Sequence, residues 1–414
     1  MSVPSVAVIG AGAAGLVAAS FAATSGATVT LLERTKDGGR KILISGGGRC
    51  NILPSVLAPE RFVTDSPARL LRHMLRAWPL HEQRAFFERD LGIPLALEEE
   101  SGKLFPQSNR ARDVRDGLVN HARAKGVEIR FDTTVTDLSR SGTSFTIATS
   151  SGDLTCDRIV FATGGLSVPA TGSDGTGLAI AQRLGHAMVD TYPALAPLLA
   201  RQDVHASLSG VSLDVRLRAK NGSKTTESFG GFLFTHRGYS GPSVLDVSHL
   251  TERGKTPVIR AQWSPLHAAQ WEAEFDARSA SVSTILARHI PGRLAEQLMI
   301  DAGVLLDRRT SSLTRSERTR LVDALTAYPL PWSGNEGYKK AEVTGGGVAL
   351  SDVDPKTLES KKVPGLYLCG EMLDAFGPIG GHNFSWAWAT GRAAGMAAGA
   401  SDRRTVGELA ENLP

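Results

Sequence analysis

The first part of the chain alternates between short apolar runs and a stretch of small residues. Apolar residues at 6–9 predict a buried strand, and the small residues from about 13 to 24 predict a helix. A β-branched run at 28–32 predicts a second strand. Residues 5–33 are therefore predicted to form one βαβ unit, the building block of parallel sheets.

The pattern changes near residue 191 and changes back near 335. Between these points strand-like runs are followed by helical ones, and beyond them a strand and a small-residue helix return. The expected class is α/β, with a nucleotide-binding domain built from 1–190 and 335–414. The insertion at 191–334 is expected to be β-rich over 191–260 and helical over 261–334. The other expected elements are helices at 66–90, 110–125, 265–278, 281–289, 294–306 and 385–398 and strands at 127–131, 133–138, 144–149, 158–163, 211–219, 228–235 and 365–368.

Glycine is unusually frequent and unevenly distributed. Of the 44 glycines among 414 residues, nine lie in 10–48, five in 164–177 and ten in 345–395. A Gly-X-Y period is absent and 42% of residues are hydrophobic, which excludes collagen and low-complexity disorder. Clustered glycine in a globular chain indicates backbone that closely approaches a ligand.

Charge and cysteine content exclude several classes. Lys+Arg 46 against Asp+Glu 42 gives a net charge of +4, and residues 251–330 interleave 11 basic with 9 acidic residues, so no nucleic-acid partner is expected. The three cysteines form no CxxC pair, which argues against a dithiol redox site and a secreted disulfide framework. With no run of about 18 apolar residues, no membrane partner is expected and a cytoplasmic location is predicted; the oligomeric state is left open.

The first glycine cluster has the form of a dinucleotide fingerprint. Gly10-Ala11-Gly12-Ala13-Ala14-Gly15 lies between a predicted strand and a predicted helix, where helix N–H groups face a diphosphate. Glu33 ends the second strand, where a carboxylate accepts hydrogen bonds from a ribose diol. This fingerprint fits FAD and NAD equally well.

The later clusters favour FAD. A Ser-Gly-Gly-Gly run at 45–48 can present consecutive N–H groups to an oxygen atom, and a strand ending in Gly370-Glu371 places an acid near ribityl hydroxyls. A glycine loop at 377–381 before a helix suits the electron-rich edge of a flavin. An elongated cofactor that is contacted by both ends of the chain would explain why glycine-rich motifs recur in the C-terminal part of the sequence. The predicted cofactor-binding residues are Gly10, Gly12, Ala13, Ala14, Gly15, Glu33, Arg34, Arg40, Lys41, Ser45, Gly46, Gly47, Arg49, Cys50, Asn51, Val135, Thr163, Gly164, Gly165, Gly370, Glu371, Gly380, Gly381, His382, Asn383 and Phe384.

Longer motifs resemble those of one family. The blocks GAGAAGL, RKxLxSGGGRCN, ATGGLSxPxTGSxGxG, FTHRGYSGP, VTGGGV and GLYLCGExLD…GGxN resemble the BaiN-like (YhiN-like) FAD-dependent oxidoreductases. The resemblance implies a glutathione-reductase-type FAD-binding Rossmann-like domain, interrupted by a β-rich plus helical insertion that lies over the flavin. It also implies the FAD contacts of Arg34 and Val135. The loop at 377–383 departs from the GxTGGYN of many members, which suggests a subgroup.

Catalytic candidates are few. His382 is expected near the flavin ring as a proton donor or electrophile, or as a residue that fixes the loop. His236, Tyr239 and Ser240 either face a substrate or form a structural turn. Cys50 and Cys369 are interpreted as buried and inert, and no residue group has metal-ligand spacing, so no metal is expected. The nucleophile motif GxSxG is also absent.

The sequence therefore predicts an FAD-dependent oxidoreductase that passes a hydride or electron pair between flavin and a small organic substrate. The resemblance implies NAD(P)H as reductant, and without a second GxGxxG unit NAD(P)H would dock transiently. One alternative is an O₂-dependent flavin amine oxidase. Another is an FAD-containing RNA-modifying or non-catalytic FAD-binding protein. A basic stripe on the insertion would favour RNA, and the near-balanced charge of the insertion argues against it.

Overall fold

The chain forms two compact units. The computed structural model describes residues 3–401 except 203, 223, 254, 255 and 278. The two-segment unit combines Met1–Tyr192 with Val343–Pro414, and the inserted unit is Pro193–Glu342. The second boundary lies beyond the predicted 334/335 because residues of this stretch bond within the inserted unit. The Glu336 amide donates to the Pro197 carbonyl at 2.9 Å, and the Glu342 amide to the Leu195 carbonyl at 3.2 Å.

The element bounds within the described residues follow in chain order. Residues 3–194 contain β1 (Ser5–Ile9), α1 (Ala13–Thr24), β2 (Thr28–Leu32), α2 (Arg40–Ile44), β3 (Leu53–Pro54), α3 (Ala68–Arg76), α4 (Leu80–Ala85), β4 (Leu95–Glu98), β5 (Lys103–Pro106), α5 (Ala111–Ala124), β6 (Glu128–Arg130), β7 (Val135–Ser141), β8 (Ser144–Thr149), β9 (Leu154–Cys156), β10 (Arg158–Phe161), α6 (Thr176–Arg183) and β11 (Met188–Ala194). The inserted unit continues with β12 (Leu198–Ala200), β13 (Ser212–Asn221), β14 (Lys224–Phe234), β15 (Gly238–Ser240), α7 (Pro242–Ser248), β16 (Val258–Gln262), α8 (Ala268–Ala277), α9 (Val282–Leu286), α10 (Gly292–Asp301), α11 (Arg315–Thr326), β17 (Tyr328–Pro329) and β18 (Trp332–Asn335). The second segment adds β19 (Val343–Val348), β20 (Leu366–Leu368) and α12 (His382–Gly399).

A five-stranded parallel sheet organises the two-segment unit. Its strand order is β20-β10-β1-β2-β6, and each neighbouring pair is parallel. The central strand, residues 6–9, is buried along its whole length, as expected for a parallel strand covered on both faces. Because every strand runs the same way, the residues that follow β1, β2, β10 and β20 meet at one carboxyl edge.

Helix α12 packs unusually close to α1. A Cβ added to Gly391 would lie 2.4 Å from the Ala14 carbonyl oxygen, and one added to Gly395 would lie 2.2 Å from that of Ala18. Gly399 repeats the arrangement one turn later against Ala22, at 2.3 Å. The small residues at every fourth position let the two backbones touch, which joins the two ends of this unit.

The inserted unit is built around an antiparallel sheet. Its strand order is β17-β16-β13-β14-β15-β12-β18. On β13, Val215, Leu217 and Ala219 are fully buried, whereas the residues between them are exposed. This period of two identifies one core-facing and one solvent-facing side of the sheet. The core also holds the buried rings of Trp263 and Trp271.

Several predicted elements differ from the observed ones for local reasons. The helix predicted at 66–90 is two helices, α3 and α4, because Pro79 interrupts the pattern at the N-cap of α4. The helix predicted at 294–306 ends earlier because Gly303 adopts a left-handed φ of 67°. The short strands β4 and β5 had no predicted counterpart.

Candidate functional site

The three fingerprint glycines have different surroundings. Gly10 has a φ of 100°, and an added Cβ there would lie 2.6 Å from the Ala162 carbonyl oxygen. A Cβ on Gly15 would lie 1.8 Å from the Gly10 carbonyl oxygen. A Cβ on Gly12 would meet no heavy atom within 4 Å, and no side chain of the described residues caps α1. The chain's own packing therefore explains Gly10 and Gly15, whereas Gly12 leaves open space at a helix N-terminus.

Glu33 lies beside this turn at the end of β2. Its carboxylate accepts the Ala11 amide at 2.7 Å and the Thr35 amide at 2.8 Å, and the Thr35 hydroxyl donates to it at 2.7 Å. The side chain is buried, and these bonds hold the carboxylate at the carboxyl edge. An acid fixed here can accept hydrogen bonds from a ribose.

The second glycine cluster forms a tight turn after α2. Gly46, Gly47 and Gly48 have φ values of 54°, 67° and 82°, a succession that glycine adopts readily and other residues do not. A Cβ on Gly47 would meet nothing within 4 Å, so this part of the turn also faces open space. The turn thus provides exposed backbone, and its contact with a cofactor stays a prediction.

Asn51 links this turn to the C-terminal loop. With its amide oriented to satisfy both ends, Asn51 donates to the Leu53 carbonyl at 3.2 Å and accepts the Gly381 amide at 3.0 Å. A Cβ on Gly381 would lie 2.6 Å from the Leu53 carbonyl carbon. Two clusters more than 300 residues apart in sequence are therefore in direct contact.

A partly buried polar network surrounds Glu371, the second acid of the site. Lys41 Nζ donates to Glu371 at 2.7 Å and to the Ser167 hydroxyl at 2.6 Å. The Ser167 hydroxyl and the Thr344 amide donate to the other Glu371 oxygen at 2.6 and 3.0 Å. Ser167 and Thr344 were not among the predicted site residues. Both residues lie in motifs that the sequence shows, ATGGLS and VTGGGV, but the predicted set contains only Thr163, Gly164 and Gly165 of the first motif and no residue of the second.

The C-terminal loop is closed by Asn383. Its side chain accepts the Gly377 amide at 2.8 Å and donates to the Gly377 carbonyl at 2.9 Å. Phe384 stacks on Trp388 with ring centroids 5.3 Å apart. The side chains of these two predicted cofactor residues therefore hold the loop and the start of α12 in place.

His382 is a buried residue at the start of α12, and its imidazole has a lowered pKa. It is buried, and burial together with the positive charge of Arg61 lowers the pKa of its imidazole to about 4, although backbone hydrogen bonds at Ile379 and Val56 oppose the shift. The ring is therefore neutral at pH 7. A neutral ring can donate a hydrogen bond, and the predicted role of His382, as a proton donor or electrophile or as a residue that fixes the loop, stays a prediction.

The predicted arginines have protein partners. Arg34 pairs with Asp174, Arg40 with Asp37 at 2.9 Å and Arg49 with Glu98 at 3.0 Å. Arg49 also lies over the Phe105 ring, 4.0 Å from its centroid. Most of the other predicted residues, including Gly164 and Gly165 after β10 and Gly370 after β20, lie at the carboxyl edge, whereas Val135 begins β7.

The cysteines are buried thiols. Burial raises the pKa of Cys50 to about 12 and also raises that of Cys369. Neither is a thiolate at neutral pH, which agrees with their interpretation as inert residues.

In the inserted unit the predicted trio is not a cluster of accessible groups. Tyr239 is fully buried; its hydroxyl bonds His205 Nδ1 at 3.0 Å and donates to the Pro331 carbonyl at 3.3 Å. The expectation that Tyr239 faces a substrate is wrong, because its ring belongs to the core of the sheet. His236 is exposed and Ser240 is half-buried on β15.

Among the residues covered by the structure, no group of three or more His, Cys, Asp or Glu could hold a metal ion. Over the same residues, no helix is both long and apolar enough to span a membrane.

Sequence comparison identifies the family. Residues 4–397 match the family described as the HI0933-like protein Rossmann domain. The chain belongs to the HI0933-like family. This agrees with the predicted BaiN-like resemblance, which is confirmed.

Curated relatives of this HI0933-like protein carry two kinds of name. It is 33% identical over 388 residues to "Ribosomal RNA dihydrouridine synthase" of Escherichia coli (strain K12), covering 92% of this chain and 95% of the relative. It is 32% identical over 404 residues to "3-dehydro-bile acid delta(4,6)-reductase" of Clostridium scindens, covering 94% and 98%.

Solved structures share the fold at low identity. The 3-ketosteroid delta1-dehydrogenase of Sterolibacterium denitrificans matches with a TM-score of 0.52 and 13% identity, covering 96% of this chain and 99% of its own. A flavocytochrome c3 fumarate reductase matches with a TM-score of 0.50 and 16% identity, covering 96% and 78%. The predicted FAD-binding Rossmann-type fold with a β-rich insertion is confirmed.

Proposed function

We propose that the carboxyl edge of the parallel sheet binds FAD. The observation that carries this proposal is the open space at Gly12, where a diphosphate can approach the N-terminus of α1 without displacing protein atoms. Glu33 is positioned for the adenosine ribose, and the turns at 46–48 and 380–381 offer backbone to the rest of the cofactor. When bound, FAD supplies the electron pair of the reaction.

We propose that the protein is a reductase of carbon–carbon double bonds conjugated to a carbonyl group. Both relatives' names describe such chemistry: formation of dihydrouridine saturates the C5–C6 bond of uracil, and a delta(4,6)-reductase saturates ring double bonds. The balanced reaction consumes NAD(P)H, a proton and the double bond, and yields NAD(P)⁺ and the saturated product.

The chain's own residues define this site by binding and orientation. Lys41 and Ser167 fix Glu371, so the second acid keeps one position at the edge. Neutral His382 can donate an N–H hydrogen bond to a carbonyl or flavin oxygen, whereas its low pKa argues against storage of a proton there at pH 7. We therefore assign His382 an orienting role.

The reductant is proposed to be NAD(P)H, used transiently. The sequence contains one GxGxxG βαβ unit, so NAD(P)H and the substrate would use the cofactor site in alternation. The alternative function is amine oxidation by O₂, and the experiment described next distinguishes it from reduction by NAD(P)H.

The test is anaerobic spectroscopy of the purified protein. We expect a yellow protein that NADH or NADPH bleaches, and whose colour returns when an enone or a uridine-containing RNA is added. Parallel samples receive amines in place of NAD(P)H. Protein that cannot be loaded with FAD, or bleaching by amines with no response to NAD(P)H, would contradict the proposal.

A further inference from the structure

One side of the inserted sheet is open to solvent and carries an ordered set of charges. On β13, Arg216, Arg218 and Lys220 alternate with buried residues and therefore point to the same face. On the neighbouring strand β16, Arg260 is exposed and lies directly opposite Arg218. We call this set, residues 216, 218, 220 and 260, the basic stripe.

The basic stripe is only partly neutralised. Glu227 on β14 accepts from Arg218 at 2.8 Å and from Arg216 at 3.5 Å. The same face of β13 also carries Asp214. Four cationic side chains therefore face two carboxylates.

The pairing of Arg218 with Arg260 is unfavourable for the sheet alone. Like charges directly opposite one another on adjacent strands destabilise the pairing. The Arg260 guanidinium donates to the Ala327 carbonyl at 3.1 Å, which satisfies one N–H but leaves the charge. An arrangement that opposes stability and concentrates charge is typical of a surface that binds an anion.

An exposed aromatic ring lies within this face. Phe229 is 63% exposed on β14, directly opposite Arg216 in the register of β13 and β14. The Arg216 guanidinium is 5.5 Å from the centroid of its ring. A phenylalanine ring beside arginines offers one surface for a base and adjacent positive charge for its phosphate.

We propose that this face binds single-stranded RNA, with phosphates at the basic stripe and a base stacked on Phe229. The proposal rests on the proposed reductase function and names its substrate class as a uracil base within RNA. It is an alternative to the expectation of no nucleic-acid partner, which rests on the net charge of +4 and on the charge balance of residues 251–330, a range that does not include β13.

The pattern of charges distinguishes RNA from other partners. Two other exposed apolar residues of the sheet, Val258 and Leu233, are not adjacent to Phe229. Val258 lies opposite Lys220, and Leu233 lies opposite Ser212 with Gly231 between it and Phe229 on β14. The core of a protein interface is depleted of charge, whereas single-stranded nucleic acid needs charge and aromatic surface side by side. The observations therefore favour RNA.

The test measures binding of a fluorescent 12-nucleotide oligouridylate to the full-length, FAD-loaded protein over a range of salt concentrations. The double variant R216Q/R218Q should bind about tenfold more weakly and reduce the slope of log K against log salt by about 1.4, roughly 0.7 for each lost phosphate contact. Phe229→Ala should weaken binding about tenfold with little change in that slope. Glu227→Gln should strengthen binding.

The control R288Q/R315Q removes the same charge from exposed arginines of the helical part of the unit. It should leave binding within about twofold of the wild type. Thermal unfolding of each variant verifies that the protein is folded. Equal weakening by the control, or binding of anionic phosphatidylserine vesicles in preference to RNA, would overturn the proposal.

Reduction of a small enone by NAD(P)H, measured with the same variants, separates the two proposals. We expect it to be unchanged in R216Q/R218Q and Phe229→Ala, because these residues lie on β13 and β14 and not at the carboxyl edge. Enone reduction without RNA binding would overturn the RNA surface and leave the reductase intact. RNA binding that depends on the stripe, without any reduction, would support the surface and contradict the reductase.

Discussion

Gly12 differs from the two glycines that flank it in what surrounds its α-carbon. Gly10 and Gly15 are required by contacts within the protein, whereas the space beside Gly12 contains no protein atom. The sequence motif marks all three positions equally. Their separate roles became evident only from distances to Ala162 and Gly10, which depend on strand packing.

This difference predicts opposite effects of the same substitution. Gly12→Ala should leave unfolding of the FAD-free protein within about 1 kcal/mol of the wild type, because its φ of −79° suits alanine, but should weaken FAD binding at least about tenfold. Gly15→Ala should destabilise the FAD-free protein by about 1–3 kcal/mol or more. Flavin titration and denaturant unfolding check both. Normal FAD affinity in Gly12→Ala would contradict the proposed diphosphate position.

His382 predicts a pH dependence of stability. Its folded-state pKa of about 4 lies below the ordinary histidine pKa of 6.5, so the unfolded chain binds more protons between these values. The free energy of unfolding that depends on this pKa difference is fully present above pH 6.5 and is lost as pH falls through 4, by about 3 kcal/mol. Unfolding of the protein at several pH values measures this slope.

His382→Gln should flatten that slope in the range from pH 6.5 to 4. The matched control His73→Gln replaces an exposed histidine of α3 and should retain the slope. An unchanged slope in His382→Gln would show that His382 does not carry the effect.

At the scale of elements, the βαβ unit and the final helix follow the sequence pattern because short apolar or β-branched runs mark the strands and long runs of small residues mark the helices. The part of the basic stripe that lies on β13 is also visible in the sequence, which has arginine or lysine at every second position from 216 to 220. A charge count over a window does not detect it, because only the register with β14 and β16 shows which charges share a face.

The close contact between α1 and α12 predicts that an added methyl group at this contact lowers the stability of the protein. Gly395→Ala should destabilise the protein by about 1–3 kcal/mol, although alanine favours helices, because the added methyl would lie 2.2 Å from the Ala18 carbonyl oxygen. Met396→Ala, at a position of α12 that is 41% exposed, is the control and should change stability by less than about 1 kcal/mol. Chemical denaturation of both variants tests the contact.

At the scale of the molecule, the α/β class and the interrupted domain could be inferred from the return of glycine-rich motifs near residue 345. The predicted boundary at 334/335 differs from the observed one because hydrogen bonds of Glu336 and Glu342 within the inserted unit leave no pattern in the sequence. Substrate identity was not encoded in the motifs, since those motifs describe the cofactor edge.

The inserted unit has its own hydrophobic core and a continuous chain, which predicts independent folding. Expressed alone, residues 193–342 should unfold cooperatively, with a free energy of about 5 kcal/mol or more, followed by tryptophan fluorescence. Residues 1–192 alone lack β20 and α12 and should show no cooperative transition. A cooperative transition of 1–192 would contradict the importance of the second segment.

The contact between α1 and α12 also determines the order of events during synthesis. Translation delivers α1 among the first elements and α12 as the last described helix, so the surface of α1 that carries Ala14, Ala18 and Ala22 emerges long before its partner. The inserted unit is complete on the ribosome earlier than the domain that precedes it. The apolar surface of α1 therefore stays without its α12 partner until the final helix is released, and surface of this kind is where a nascent chain aggregates.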